Sequence, residues 1–229
     1  MAYRIFWRLS FFPVVLVLFL AGVVWAQEQQ HGHLHQHDSM SLGQYIARLE
    51  DPARDAWQKP DAVIQALKLE EGHIVADIGA GSGYFTLRLT QAVGSEGMVY
   101  AVDTASGMLH HLRQRLREEG ISNVRTMKVP PHDPLLVDGS IDVAFVCNTY
   151  HHIEDREVYL RKIRKALKPD GRIIIIEFNK EGDIPVGPPS QMRLSKDSVR
   201  KELQAAGLSV TETPVSLQYQ YMLMAQTTG

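Results

Sequence analysis

The sequence holds one cysteine, Cys147, among its 229 residues. A lone cysteine excludes an intramolecular disulfide and any zinc site built on several thiolates. It closes the apolar run Ile141–Cys147, where a thiol is expected to serve as a small buried hydrophobe. An excess of positive charge is also lacking, since 24 Lys and Arg stand against 26 Asp and Glu. With a formal net charge of −2 the composition offers no basic face, which argues against DNA or RNA as a partner. The length allows one full α/β domain with a short extension, but hardly two domains.

Apolar runs long enough to engage a membrane are confined to the N-terminus. Met1–Ser10 carries Arg4 and Arg8 and no acid, the apolar run Phe11–Val24 follows, and Ala26 offers a small-residue exit. This order describes a secretory signal better than a spanning helix. Residues 1–26 are therefore expected to be a signal peptide or a retained anchor, with membrane contact through residues 5–26. The arginines should stay on the cytoplasmic side, which predicts a periplasmic, extracellular or membrane-anchored protein rather than a cytoplasmic one. Residues 27–52 read as a polar His-rich linker, disordered over Gln27–Ser41. Within it His31, His33, His35 and His37 alternate. Alternate side chains of an extended segment share a side, so these imidazoles can meet on Zn²⁺ or Cu²⁺; the other reading is a solvated tail.

Beyond the linker, helix and strand signals alternate. Pro60 opens a helix to Leu67, and strands are predicted at His73–Ile78, Met98–Val102, Val124–Val129, Ile141–Cys147 and Ile173–Phe178. Helices are predicted at Tyr84–Val93, Ser106–Glu119, from the Asp155 cap to Leu167, and at Ser195–Ala206. Lys168-Pro169-Asp170-Gly171 reads as a turn. The runs Leu208–Leu217 and Tyr219–Gln226 lie too close together for a crossover helix, so at least one pairs antiparallel. The fold class is thus α/β: a Rossmann-like, doubly wound, mostly parallel sheet with helices on both faces.

In such sheets ligands bind beyond the carboxyl ends of the strands. There the sequence reads Asp77-Ile78-Gly79-Ala80-Gly81-Ser82-Gly83. Glycines permit a tight turn and let backbone approach a ligand where a Cβ would collide. The spacing is G-x-G-x-G rather than the G-x-G-x-x-G of dinucleotide folds, because Tyr84 and Thr86 stand where that pattern would end. This disfavours a nicotinamide-dependent oxidoreductase. The leading acid, Asp77, suits a cationic ligand better than a pyrophosphate. Asp103 ends the next strand roughly 20 residues after the loop, where a carboxylate can accept both hydroxyls of a ribose or, alternatively, cap the next helix.

Four ordered motifs, the Asp77–Gly83 loop, Asp103, Asp138-Gly139-Ser140-Ile141-Asp142 and Leu167-Lys168-Pro169-Asp170-Gly171, resemble those of class I S-adenosylmethionine-dependent methyltransferases. The small-molecule branch that includes the ubiquinone/menaquinone methyltransferases is the most similar. The resemblance places the catalytic domain at residues 53–229 and implies a seven-stranded sheet whose last strand is antiparallel. It implies S-adenosyl-L-methionine as cofactor, with no metal needed for the core reaction, and a small-molecule acceptor. Asp77, Gly79, Ala80, Gly81 and Gly83 would face the methionine part, Asp103 the ribose, and Asp133 the adenine, with Asn148 also at the cofactor. The segment Val129-Pro130-Pro131-His132-Asp133 departs from the family's acid-centred pattern.

Asn148-Thr149-Tyr150-His151-His152 follows the fourth strand and would lie beside the transferable methyl. His151 and His152 are the candidate bases and Tyr150 a candidate wall, because methyl transfer needs alignment and some acceptors must lose a proton. The alternative is a packed and a solvated histidine. Trp57 is read as a cover aromatic or a packed one, Glu177 as facing the cleft, and Asn179–Gln191, rich in proline and glycine, as a substrate-covering loop. The Asn/Asp-Pro-Pro-aromatic signature of base amino methylation is absent. A competing expectation is an exported non-catalytic ligand- or metal-binding protein that retains the fold.

Overall fold

Ile173, Ile174, Ile175 and Ile176 are consecutive and all fully buried. Successive side chains of a strand point to opposite faces, so this run requires cover on both. Ile173 and Ile175 pack with Leu160, Ile163, Val199 and Leu203, whereas Ile174 and Ile176 pack with Val63, Leu67 and Leu89. The sheet therefore has two cores, one on each side. This is a computed structural model, which describes residues 40–227.

The strands are β1 (Ile74–Ile78), β2 (Met98–Asp103), β3 (Val124–Lys128), β4 (Ile141–Cys147), β5 (Leu167–Phe178), β6 (Leu208–Glu212) and β7 (Gln220–Thr227). They form a seven-stranded sheet in the order β3-β2-β1-β4-β5-β7-β6. The first five run parallel, and β7 is antiparallel to both β5 and β6. The Rossmann-like fold with a late antiparallel strand is thus present. The helices are α1 (Leu42–Leu49), α2 (Arg54–Gln58), α3 (Pro60–Leu67), α4 (Thr86–Val93), α5 (Ser106–Glu118), α6 (Arg156–Ala166) and α7 (Lys196–Ala205).

Three expectations change. First, the segment 42–52, read as linker, contains α1. Its start is a capping box: Ser41 Oγ accepts from the Gln44 N–H, and the Ser41 N–H donates to Gln44 Oε1 at 2.8 Å. The compact unit accordingly begins at Ser41, ahead of Ala53. Second, the Lys168–Gly171 turn lies inside β5. Ile141 pairs with Leu167 and Val143 with Arg172, so the four turn residues bulge out between two paired positions. Third, β6 stops at Glu212, well short of Leu217. His31, His33, His35 and His37, and the apolar segment 1–26, lie outside the described residues.

The strand order reverses between β1 and β4, which opens a crevice above their carboxyl ends. A Cβ on Gly79 would lie 2.1 Å from Thr149 Oγ1, so the loop after β1 touches the segment after β4 only because position 79 is glycine.

Candidate active site

Gly79, Gly81 and Gly83 all hold positive φ, at 77°, 56° and 91°. The loop is pinned from beneath, since the Gly79 and Ala80 N–H groups both donate to the carbonyl of Val102 at the end of β2. Asp77 is buried below it, with Oδ2 accepting from the Thr86 hydroxyl at 2.6 Å. Burial pushes its carboxyl up to about 7, although the Thr86 hydrogen bond opposes the shift. Asp103 bridges two backbone amides: Oδ2 accepts from Gly81 at 2.8 Å and Oδ1 from Ala105 at 2.8 Å. Each oxygen keeps a further lone pair, so the carboxylate can still accept a ligand hydroxyl while fixing the loop.

The N-terminal helices close over this loop. Leu49 Cδ1 stands 3.6 Å from where a Cβ of Gly81 would be, and Leu42 packs against Gly107 at the start of α5. Glu50 anchors the segment by accepting from Arg115 Nη1 at 2.8 Å and meeting His111 Nε2 at 2.8 Å. Arg54 lays its guanidinium on the Tyr84 ring, 3.8 Å from the centroid.

On the β4–β5 side, His151 Nδ1 lies 2.8 Å from Glu177 Oε2, and the His151 N–H donates to Glu177 Oε1 at 3.3 Å. Both side chains are almost fully buried, at 3% and 1% exposure. His152 is exposed, its ring 4.1 Å from that of His151. Tyr150 does not form a cleft wall. It is fully buried, donating its hydroxyl to Glu202 of α7 at 2.6 Å, because its 3₁₀ turn directs the ring into the core against α6 and α7. Its phenol is pushed up by burial and by Glu202, so it keeps its proton.

Asn148, in the left-handed region at φ 57°, forms a ring of amides with Gln58 and Gln220. Gln58 Nε2 donates to Gln220 Oε1 at 2.7 Å, Gln220 donates to Asn148 Oδ1, and Asn148 Nδ2 donates to Gln58 Oε1 at 3.2 Å. Gln58 and Gln220 were not singled out from the sequence. Beside the ring, Trp57 meets Phe178 and Tyr219, with centroids 5.7 and 6.4 Å apart. The Asn179–Gln191 loop folds onto this cluster, Gly187 lying so close to the Phe178 ring that a Cβ would be 2.5 Å from it. Asp133 accepts from Lys162 at 2.8 Å and from the Leu135 N–H at 2.8 Å, which ties down its own loop. Burial pushes the Cys147 thiol up, so it stays a neutral pocket group, as its apolar setting suggested.

The residues present fit S-adenosylmethionine. Asp103 carries unused lone pairs, the buried Asp77 carboxyl lies beneath the glycine loop, and the half-buried Arg54 brings a buried Nε close enough to Asp77 to lower that carboxyl. Among the described residues no cluster of three or more His, Cys, Asp or Glu side chains is placed to hold a metal.

Comparisons with known proteins agree. The profile of a family described as "Methyltransferase domain" matches residues 69–225. A ubiquinone/menaquinone biosynthesis C-methyltransferase of Idiomarina loihiensis is 34% identical over 145 residues, covering 63% of this chain and 53% of that protein. The chain thus spans about half the length of the curated relatives it matches. Among solved structures, a SAM-dependent methyltransferase from Aquifex aeolicus superposes with a TM-score of 0.76 at 28% identity, covering 81% of this chain and 98% of that one. The [4+2]-cyclase SpnF shares the fold alone, at a TM-score of 0.60 and 22% identity over 69% of this chain and 59% of that one. Glycine loop, ribose acid, strand order and relatives converge, and the chain belongs to the class I S-adenosylmethionine-dependent methyltransferase family.

Proposed function

We propose that the protein transfers a methyl group from S-adenosylmethionine to a small molecule bearing an acidic O–H, N–H or C–H, with His151 as the base. The observation that carries this reading is the buried His151–Glu177 pair, in the segment after β4 whose Thr149 meets Gly79 of the Asp77–Gly83 loop. When bound, the cofactor supplies a methyl group on a positively charged sulfur that departs as a neutral thioether. Asp77 and the glycine loop hold and orient the methionine part, and Asp103 holds the ribose. Glu177 accepts from Nδ1–H and so leaves the Nε2 lone pair of His151 as the proton acceptor. The second Glu177 oxygen, bonded to the His151 N–H, stops the carboxylate from rotating and lets it stabilise the imidazolium once formed. Trp57, Phe178 and Tyr219 offer an aromatic surface for the acceptor.

The test is transfer of labelled methyl to a panel of phenols, quinols, amines and thiols, run on the full-length chain in mild detergent. His151→Ala is expected to lower kcat about 10²- to 10⁴-fold with S-adenosylhomocysteine affinity unchanged. Glu177→Gln should act in the same direction, while Asp103→Ala should weaken cofactor binding instead. Wild-type turnover by His151→Ala would remove the base role. Tight cofactor binding with no product from any acceptor would favour the second reading, an exported protein that keeps the pocket for binding alone. That reading draws support from the N-terminus, because S-adenosylmethionine is made in the cytoplasm.

Residues 1–26, in this proposal, carry the domain out of the cytoplasm or hold it at the membrane, as Arg4, Arg8 and Phe11–Val24 suggest. Cell fractionation with N-terminal sequencing of the recovered protein tests this. An uncut chain in the cytoplasmic fraction would end the export reading.

A further inference from the structure

Among the described residues Arg54 forms no ion pair with a carboxylate. Nη1 donates to the Leu49 carbonyl at 2.9 Å and Nη2 to Gln58 Oε1 at 3.3 Å. Its Nε is buried and has no hydrogen-bond partner among the described residues. The acids nearest in sequence are engaged elsewhere. Asp55 holds Arg88 at 3.1 Å and the Tyr84 hydroxyl, Asp51 accepts from the Ala53 N–H at 2.9 Å, and Glu50 holds Arg115 and His111. Burial pulls the Arg54 guanidinium down from its ordinary value, and its nearest titratable neighbours, the Cys147 thiol and the Tyr84 phenol, keep their protons and bring it no counter-charge. A desolvated cation with an unmet N–H is costly, and an incoming anion would relieve that cost.

Its position narrows the anion. The side chain lies on Tyr84, just past the glycine loop, in the segment that covers Gly81, and it is close enough to Asp77 to depress that carboxyl. Asp77 and Arg54 thus place opposite charges about the part of the crevice assigned to the amino-acid end of the cofactor. That end is a zwitterion, with an ammonium to suit the acid and a carboxylate to suit a planar fork of N–H donors. We propose that Arg54 binds the α-carboxylate of the methionyl moiety, exchanging its bonds to Leu49 and Gln58 for this anion. The inference rests on the cofactor reading above. It also gives α2 a binding role, since Arg54 is the first residue of that helix.

The measurement is calorimetric titration of full-length wild-type, Arg54→Gln and Arg54→Lys protein with two probes. S-adenosylhomocysteine carries the amino-acid end, and 5′-methylthioadenosine has the same nucleoside and sulfur without it. Arg54→Gln should bind S-adenosylhomocysteine about 10- to 100-fold more weakly, the scale of a lost hydrogen bond to a charged group. Its affinity for 5′-methylthioadenosine should match wild type. Arg54→Lys should fall between, again for S-adenosylhomocysteine only. Equal weakening toward both probes would make Arg54 a structural part of the cover and overturn the proposal. Unchanged binding of both would overturn it too, and a raised acceptor KM in Arg54→Gln would then place the carboxylate on the acceptor. Wild-type protein that binds neither probe would sink the cofactor assignment itself, a different failure from the other two.

Discussion

Asp77 combines two properties that conflict in the free protein. It is 3% exposed, and burial raises its carboxyl from 3.8 to about 7. The folded chain therefore keeps a proton on Asp77 at pH values where the unfolded chain has released it. The stability this group contributes is fully present below the unfolded value of 3.8 and is lost as pH rises through about 7. A cationic ligand reverses the preference, because it stabilises the carboxylate. Cofactor affinity is thus expected to rise from about pH 6 to about pH 8 and then level off. Asp77→Asn should bind more weakly with a flattened profile. Titrations across this range check it, and a flat wild-type profile would show that Asp77 does not face the cofactor's charge. The residues that carry this argument were legible because Asp77, the three glycines and Asp103 follow one another along the chain. Gln58 and Gln220 were not, being 162 positions apart and meeting only because β7 returns beside β5. Arg54 had no local signal either, since its environment is made by Tyr84 and Cys147 from other elements.

Among the elements, β4 and the Ile173–Phe178 part of β5 were readable because strands covered on both faces demand near-continuous apolar runs, while β3, at the edge of the sheet, reads Val-Arg-Thr-Met-Lys and is only half-buried. α1 was missed although its signals are present: Ser41 and Gln44 make the capping box, and Leu42, Tyr45, Ile46 and Leu49 recur at helical spacing. The Gln- and His-rich stretch before it hid the change of pattern. The bulge in β5 had a different cause. Lys168-Pro169-Asp170-Gly171 has turn chemistry, and its residues do leave the ladder, but pairing resumes on the same strand instead of ending. Tyr150 was misplaced for a related reason. Sequence puts it next to the histidines, whereas the 3₁₀ turn sends consecutive side chains in different directions: Tyr150 to Glu202, His151 to Glu177.

At the scale of the molecule, the rigid and the responsive parts are separate. The sheet core is closed on both faces, and the strand reversal at β1 and β4 sets the crevice before any ligand arrives. The cover over that crevice has much less to hold it. α1 buries none of its residues fully, and among its ties are Leu42 on Gly107, Leu49 over Gly81, the Leu49 carbonyl to Arg54, and Glu50 on Arg115 and His111. Segments with few buried contacts open locally at low free energy, while core strands exchange only on global unfolding. S-adenosylhomocysteine is therefore expected to slow amide hydrogen exchange over residues 42–58 on the minutes scale, where the Ile173–Ile176 stretch of β5 exchanges little with or without ligand. Glu50→Gln should speed exchange of residues 42–58 in the free protein and reduce the protection gained, because the anchor to α5 is weakened. Protection gained by the glycine loop but not by residues 42–58 would show that the N-terminal helices take no part in holding the cofactor, leaving the sheet-end residues to bind it alone.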